Sequence, residues 1–353
     1  MQLGIIGLSQ AGKTTVFNAL TRGDCPIAMN GGRFEVHTSV VDVPDPRVDQ
    51  LASMFHPKKT TYAKVTYADI AGLGVNSNGN ISGPLLNQLT QMDGFIHVVR
   101  CFDDPNVPHS AGSVDPERDI ANMETEFVLN DLIAVERRLE RLAEESRRGA
   151  RRDQAAIQRE IAIFERIHAY LEAETPLRDV EFLPEDASII SGYGFLSNKP
   201  ILIVLNLSDG QTPPEVEFSC SGIVSLQGQL EMEIAQLPPD DADVFLSEFD
   251  IAEPSLNLMI RQSYDLLKLQ SFFTVGADEV RAWTVRRGAT ARESAGMIHS
   301  DLEKGFIRAE VVGYDDLVTL GKMSEARAKG KLRLEGKDYI VQDGEIMHVR
   351  FNV

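Results

Sequence analysis

Apolar positions in the first hundred residues fall in short runs separated by turn-forming stretches. Residues 3–6, 65–70 and 95–99 read as buried strands, and residues 16–20 continue as a helix after a glycine-bearing turn. Strands alternating with helices predict a largely parallel α/β sheet. From about residue 118 to 174 the period changes. Val128, Leu132, Val135, Leu139 and Leu142 recur at spacings of four and three; so do Ile157, Ile161, Phe164, either Ile167 or His168, and Leu171. That rhythm puts one apolar stripe on each of two long helices. Arg147-Arg148-Gly149-Ala150-Arg151-Arg152 breaks it, giving a helical hairpin with a basic tip. The strand pattern resumes at 200–205, so the hairpin interrupts the α/β domain rather than linking two domains.

After Leu267 the chain turns β-rich, with expected strands at 272–275, 280–285, 306–312, 339–341 and 346–351. Thr290-Ala291-Arg292-Glu293 is a capping box that opens a helix through Ile298. A small mixed sheet with one helix follows. The expected division is 1–117 with 186–267, then 118–185, then 268–353. For 353 residues, at about 100–200 per domain, that count is ordinary.

Thirty-five Lys and Arg against 53 Asp and Glu leave a net charge of −18, which argues against nucleic-acid binding through overall charge but not against a local basic patch. The charge is uneven: residues 210–267 hold eleven acids and one base, whereas 268–353 hold fourteen bases and thirteen acids. Cys25, Cys101 and Cys220 are too widely spaced for a disulfide framework or a paired zinc motif, and fit a reducing cytosol. No apolar run approaches the roughly 18 residues of a membrane span, so no membrane partner is expected. The first residues lack a signal peptide's charged start and long apolar stretch. A cytoplasmic location follows.

The strongest chemical signal is Gly7-Leu8-Ser9-Gln10-Ala11-Gly12-Lys13-Thr14, which matches G-x-x-x-x-G-K-[ST] between a short apolar strand and a helix. Its glycines let the backbone fold around phosphate oxygens, and the amides from Ser9 to Thr15 at a helix start favour negative charge. Lys13 is expected at the β- and γ-phosphates and Thr14 on Mg²⁺. Asp69-Ile70-Ala71-Gly72 ends a strand in the manner of a D-x-x-G switch, with Asp69 near Mg²⁺ and the Gly72 amide near the γ-phosphate. Asn206-Leu207-Ser208-Asp209 follows the 201–205 strand, where a guanine-reading N-K-x-D would stand. Asn206 and Asp209 are in register; Leu207 replaces the lysine.

These motifs, the inserted hairpin and the C-terminal β module resemble the YchF / Obg-like ATPase family of the P-loop GTPase class. Val43-Pro44-Asp45-Pro46-Arg47, His97-Val98-Val99-Arg100-Cys101-Phe102, Ser113-Val114-Asp115-Pro116, Arg281-Ala282-Trp283-Thr284 and the run from His299 to Glu310 extend the likeness. The stretch from Glu335 to Gly344 is the most specific, and nearly the whole chain is covered. The resemblance implies an α/β P-loop NTPase domain with an inserted coiled-coil hairpin, then an α+β TGS domain of ubiquitin-like β-grasp type. It implies ATP hydrolysed in preference to GTP, Mg²⁺ as cofactor, and ribosome binding. Asn206 with nearby backbone would then read the adenine amino group, while Asp209 supplies the acid that guanine wants.

In Ras-like proteins a glutamine after D-x-x-G orients the attacking water; here that place is Leu73. The family shares this replacement, and a histidine in a nearby loop has been proposed instead. His109 matches, which makes Lys13 and His109 the catalytic candidates. Gln10 stands where the family has an asparagine linked in related GTPases to K⁺, Arg33 aligns where the first switch carries a threonine, and residues 74–84 lack the usual charged run. The cradle is intact and the switches diverge, so slow hydrolysis is expected, with a partner as stimulator.

Arg147, Arg148, Arg151 and Arg152 at the hairpin tip are candidate RNA contacts, although Glu140, Glu144 and Glu145 nearby suit a plain solvated face. Arg286, Arg287, Lys329, Lys331 and Arg333 form a second candidate patch. Trp283 and Cys101 are expected in the core. Three readings remain: a slow ATPase acting on the ribosome, a nucleotide-bound adaptor with vestigial hydrolysis, and a GTPase. The chain is expected to be a monomer.

Overall fold

The computed structural model describes residues 1–25, 36–70, 81–148, 153–216, 218, 222–248 and 253–352. Its strands are β1 (Gln2–Ile6), β2 (Val36–Asp42), β3 (Lys59–Thr61), β4 (Lys64–Ile70), β5 (Gly94–Arg100), β6 (Ile201–Asn206), β7 (Ile223–Leu226), β8 (Leu269–Val275), β9 (Glu279–Arg286), β10 (Phe306–Val312), β11 (Arg333–Glu335) and β12 (Ile346–Phe351). The helices used below are α1 (Lys13–Thr21), α2 (Pro46–Phe55), α3 (Gly83–Gln91), α4 (Pro116–Arg148) and α5 (Gln154–Glu172). The chain forms two compact units, residues 1–39 with 67–255, and residues 40–66 with 256–353. Among the described residues no helix is long and apolar enough to cross a membrane.

The first unit is built on the sheet β2-β4-β1-β5-β6-β7, in which β5 runs parallel to β1 and β6, and β6 parallel to β7. Every position of β5 and β6 is buried, because helices cover both faces of a parallel sheet. On one face Ile6, Phe95, Val99 and Leu205 pack with Leu85 and Leu89 of α3 and with Ile120, Met123 and Phe127 of α4. Helices α4 and α5 share a core of Val128, Val135, Ile163, Phe164, Ile167 and Leu171. The stripe runs through Ile167; His168 lies outside it, near Glu136 and Glu172.

The root of this helix pair is tied by polar groups. Buried Asp131 of α4 accepts from the amides of Leu196 (2.9 Å) and Ser197 (2.7 Å). Burial pushes its carboxyl up to about 6; the two amides pull the other way, and burial wins. Arg178 pairs with Glu124, and Arg138 with Glu160 at 2.6 Å. Helix α4 carries exposed Arg147 and ends at Arg148. The side chain of Arg148, with Arg151 and Arg152, lies outside the described residues, as does Cys220.

The second unit holds the sheet β11-β10-β12-β8-β9-β3. Phe272, Val285, Ala309, Val311, Val341 and Met347 form its core. Two of its elements come from far upstream. β3 pairs parallel with β9, Lys59 opposite Glu279 and Thr61 opposite Arg281. Helix α2 starts at an Asp45 cap, and Arg47 lies 5.1 Å over the Phe273 ring and 2.7 Å from Asp343. Sequence patterning assigns residues 40–66 to the nucleotide-binding part; in the structure α2 and β3 of this stretch join the C-terminal unit, and β3 is the far strand of its sheet, while the two ends of the stretch run in β2 and β4 of the first sheet. Nothing local signals this, since the strand that pairs with β3 begins at Glu279.

The unit is also richer in helix than the pattern predicts. Tyr314–Leu320 and Met323–Ala328 are helical, beside the capped helix Ala291–Ile298. Residues 339–341 form no strand; Ile340 makes an isolated bridge to Thr290, and the Tyr339 hydroxyl donates to Glu345 at 2.7 Å. Trp283 is half-buried, with its ring stacked on Phe272 and under Arg281.

Candidate nucleotide-binding site

β1 delivers the chain into a loop that only glycine can turn at two points. Gly7 has φ 145°, and a Cβ there would lie 2.3 Å from the Val98 carbonyl oxygen. Gly12 has φ 93°, and a Cβ there would lie 2.1 Å from Asn206 Nδ2. Between them, exposed Ser9 and Gln10 form the tip, with Gln10 held at φ 62°. Such strain in a non-glycine residue persists where surroundings fix it, and it clusters at ligand clamps. Helix α1 then starts from Gly12 with no side-chain cap and no acid in its first turn. Its first amides, at Lys13, Thr14 and Thr15, are left for an anion.

Lys13 is buried, 7% exposed, and its Nζ donates to the Leu8 carbonyl oxygen at 2.8 Å. Burial lowers its pKa to about 8, although nearby Asp69 pulls it back up. A cation held this reluctantly is primed for phosphate, which replaces lost hydration with charge. Thr14 Oγ1 donates to Asp69 Oδ2 at 2.8 Å, while Oδ1 of that 5% exposed carboxylate has no hydrogen-bond partner among the described residues. A hydroxyl and one carboxylate with a free oxygen suit Mg²⁺, which keeps several waters and shares its shell with phosphates. No group of three or more His, Cys, Asp or Glu side chains arranged to hold a metal occurs among the described residues. Gly72 and Leu73 lie outside those residues.

The predicted base motif behaves differently. Asn206, expected at the base, braces the phosphate loop: Nδ2 donates to the Ala11 carbonyl oxygen at 2.9 Å, and Oδ1 accepts from the Gly228 amide at 3.0 Å. Leu207 packs into the core with Val99, Cys101 and Leu205. Asp209 is exposed, and in the amide orientation that satisfies both groups Gln227 donates to its Oδ1 at 3.2 Å and accepts from Gly210 N at 3.3 Å. Gln227 and Gly228 thus belong to the site, yet neither carries a motif that would have marked it.

His109 is clasped. Its side chain is 4% exposed, Nε2 donates to Asp119 Oδ2 at 3.0 Å, and Nδ1 accepts from the Ala111 amide at 3.1 Å. Arg118 also holds Asp119, at 2.8 Å. A second histidine, in the family-like run from His97 to Phe102, had no role expected of it. His97 of β5 is fully buried, pushed down to about 3 by burial and by Lys13, and is therefore neutral beside the lysine. Burial, with Asp119, pushes the Cys101 thiol up to about 12.

Relatives resolve the family. The "Ribosome-binding ATPase YchF" of Pasteurella multocida (strain Pm70) is 41% identical over 362 residues, covering 99% of this chain and 99% of that protein. The chain belongs to the YchF family. The YchF protein of Bacillus subtilis (strain 168), also named a ribosome-binding ATPase, is 38% identical over 372 residues with 99% of each chain covered. "Obg-like ATPase 1" of Oryza sativa subsp. japonica is 34% identical over 369 residues, covering 100% of this chain and 92% of its own. The solved Schizosaccharomyces pombe YchF GTPase superposes with TM-score 0.84 at 28% identity, over 99% of this chain and 97% of that one. Residues 269–352 match the family model YchF-GTPase_C, "Protein of unknown function (DUF933)". The YchF likeness and the mixed α/β sheets fit a P-loop GTPase fold.

Proposed function

We propose that this YchF protein is a Mg²⁺-dependent P-loop NTPase that prefers ATP to GTP and hydrolyses it slowly to ADP and phosphate. The observation that carries the reading is the uncapped start of α1 with buried Lys13 beside it and the Thr14–Asp69 pair next to a free carboxylate oxygen. Amides of residues 9–15 with Gly72 hold phosphate, Thr14 and Asp69 hold Mg²⁺, and the ion neutralises charge developing on the transferred group. ATP preference is supported by Leu207, which is spent on the core, and by Asp209, which is shared with Gln227. K⁺ at the Gln10 position belongs to the same reading as a monovalent aid.

His109 orients water only after leaving Asp119. Holding it there keeps basal turnover slow, and a partner that opens the clasp accelerates it. The relatives' names support the ribosome as that partner. The architecture proposed is an α/β NTPase domain, a coiled-coil hairpin inserted at 118–185, and a TGS β-grasp domain from 268, in a cytoplasmic monomer. The hairpin-tip arginines are RNA contacts in this scheme. An adaptor that stays nucleotide-bound is the second reading, favoured by the clasp itself.

The test is phosphate release from ATP and GTP with Mg²⁺, with and without ribosomes, beside Lys13→Met. ATP-selective release that ribosomes stimulate supports the proposal. GTP-selective release transfers the base choice to Asp209. Tight ATP binding without release establishes the adaptor.

A further inference from the structure

The ends of β6 and β7 lie side by side. The strands run parallel with Asn206 opposite Leu226, and the Leu207 amide donates to the Leu226 carbonyl oxygen at 2.9 Å. Register therefore brings Gln227, the residue after β7, beside the turn that follows β6. That turn is closed from within. Gln211 Oε1 accepts from the Ser208 amide at 2.9 Å, and Gln211 Nε2 donates to the Cys101 carbonyl oxygen at 2.8 Å. Gly210 takes φ 66°, a left-handed position that glycine fills without strain. Asp209 is held exposed on this braced turn.

Gln227 stands at the N-cap position of the helix Gly228–Gln236, yet its side chain caps nothing there. The Gly228 amide is taken by Asn206 instead. The half-buried Gln227 amide reaches across the turn, donating to Asp209 Oδ1 at 3.2 Å and accepting from Gly210 N at 3.3 Å. That bond changes what the carboxylate can accept. Guanine offers two parallel donors, at N1 and N2, and needs both oxygens of one carboxylate. Adenine offers a donor at N6 and an acceptor at N1, and makes no such demand. With Oδ1 already engaged, guanine must displace Gln227 Nε2 and break up the amide's hold on Asp209 and Gly210. A polar group left without its partner loses more than the bond itself contributes. Sites that engage a donor of one substrate discriminate through that cost.

We propose that Gln227 is a specificity-determining residue, which occupies Asp209 and so turns the base site against guanine. The proposal rests on the ATP-over-GTP reading above and assigns that preference to a side chain outside the tetrapeptide from Asn206 to Asp209.

The test measures the affinities of the full-length chain for the non-hydrolysable analogues Mg²⁺-AMPPNP and Mg²⁺-GMPPNP by calorimetry. The proteins are the wild type, Gln227→Ala, Asp209→Asn and the double variant, each checked for folding by thermal melting. In Gln227→Ala the freed carboxylate should move the affinity ratio about tenfold toward GMPPNP, the worth of one hydrogen bond to a charged group at an exposed position. Asp209→Asn should shift the ratio little in the wild type but cancel the whole gain in the Gln227→Ala background. That non-additivity marks a direct coupling, which a mere brace does not give. Gln227→Met, which keeps the bulk and removes the amide, repeats the measurement if the alanine variant does not fold. An unchanged ratio in a folded Gln227 variant, with the wild type favouring AMPPNP, overturns this proposal and leaves the ATP reading standing. Equal loss of both analogues makes Gln227 a brace only and also overturns it. A wild type that favours GMPPNP ends the ATP reading and this proposal with it.

Discussion

Replacing Lys13 with methionine should make the apo protein more stable while removing its grip on ATP. Methionine keeps most of the length of the side chain and discards the charge. Burial lowers the lysine from 10.5 to about 8, and the side chain is too enclosed for solvent to screen that shift. At about 1.4 kcal/mol per tenfold, the buried ammonium costs about 3 kcal/mol near neutral pH. Losing the hydrogen bond to the Leu8 carbonyl oxygen returns about 1 kcal/mol of that. The variant should therefore gain about 2 kcal/mol. The folded pKa lies below the unfolded one, so between about 8 and 10.5 the unfolded chain binds more protons, and wild-type stability rises with pH across that window. The variant's advantage should shrink there. Urea unfolding of both proteins without nucleotide, near pH 7 and near pH 10, measures it; saturating Mg²⁺-ATP should then stabilise only the wild type. A less stable variant, or a gap that stays flat with pH, refutes the account of Lys13 as a buried cation awaiting phosphate.

Asn206→Ala leaves the Ala11 carbonyl and Gly228 amide unpaired, and should cost about 2–3 kcal/mol of stability with ATP and GTP affinity falling together; calorimetry showing selective loss of one nucleotide would return Asn206 to base reading. Asp131 is raised from 3.8 to about 6, so the folded chain binds more protons in that range and the carboxyl loses stability as pH rises through it. Asp131→Asn, compared by thermal melts, should therefore fare better relative to wild type near pH 7 than near pH 4, by up to about 3 kcal/mol; a pH-independent difference contradicts the burial argument. Asp119→Asn weakens the clasp on His109 and should raise basal phosphate release a few-fold, about 1 kcal/mol in barrier, whereas His109→Ala should lower it. No response to either variant removes His109 from the mechanism.

The parts legible in sequence were those whose signal is local. Gly7 to Thr14 announces itself because backbone turn, lysine and hydroxyl lie within one turn of chain. The long helices were legible from their stripe, and even the ambiguity at 167 and 168 was of one position. Asn206 shows where local reading stops. Its residue type and spacing suggest a base contact, but its two polar atoms are claimed by Ala11 and Gly228, distant in sequence. His97 lies in a family-like run that assigns it no role, and only the structure puts it beside Lys13. The expected strand at 339–341 failed because Tyr339 and Gln342 are engaged by Glu345, which organises a turn there. The helices at 314–328 are short and amphipathic, too weak to stand out beside β-branched neighbours.

β3 belongs to a sheet whose other strands are all made later. During synthesis β3 leaves the ribosome about 200 residues before β9, which at about 5–20 residues per second is a wait of roughly 10–40 seconds. Through that interval α2 has neither Phe273 nor Asp343 to hold Arg47. Two residues separate Thr66, the last of the 40–66 segment, from Asp69 of the candidate nucleotide site. A fragment ending before Leu269 would leave β3 without the strand it pairs with and Arg47 without Phe273 and Asp343, so a stop codon there would leave this stretch unfinished.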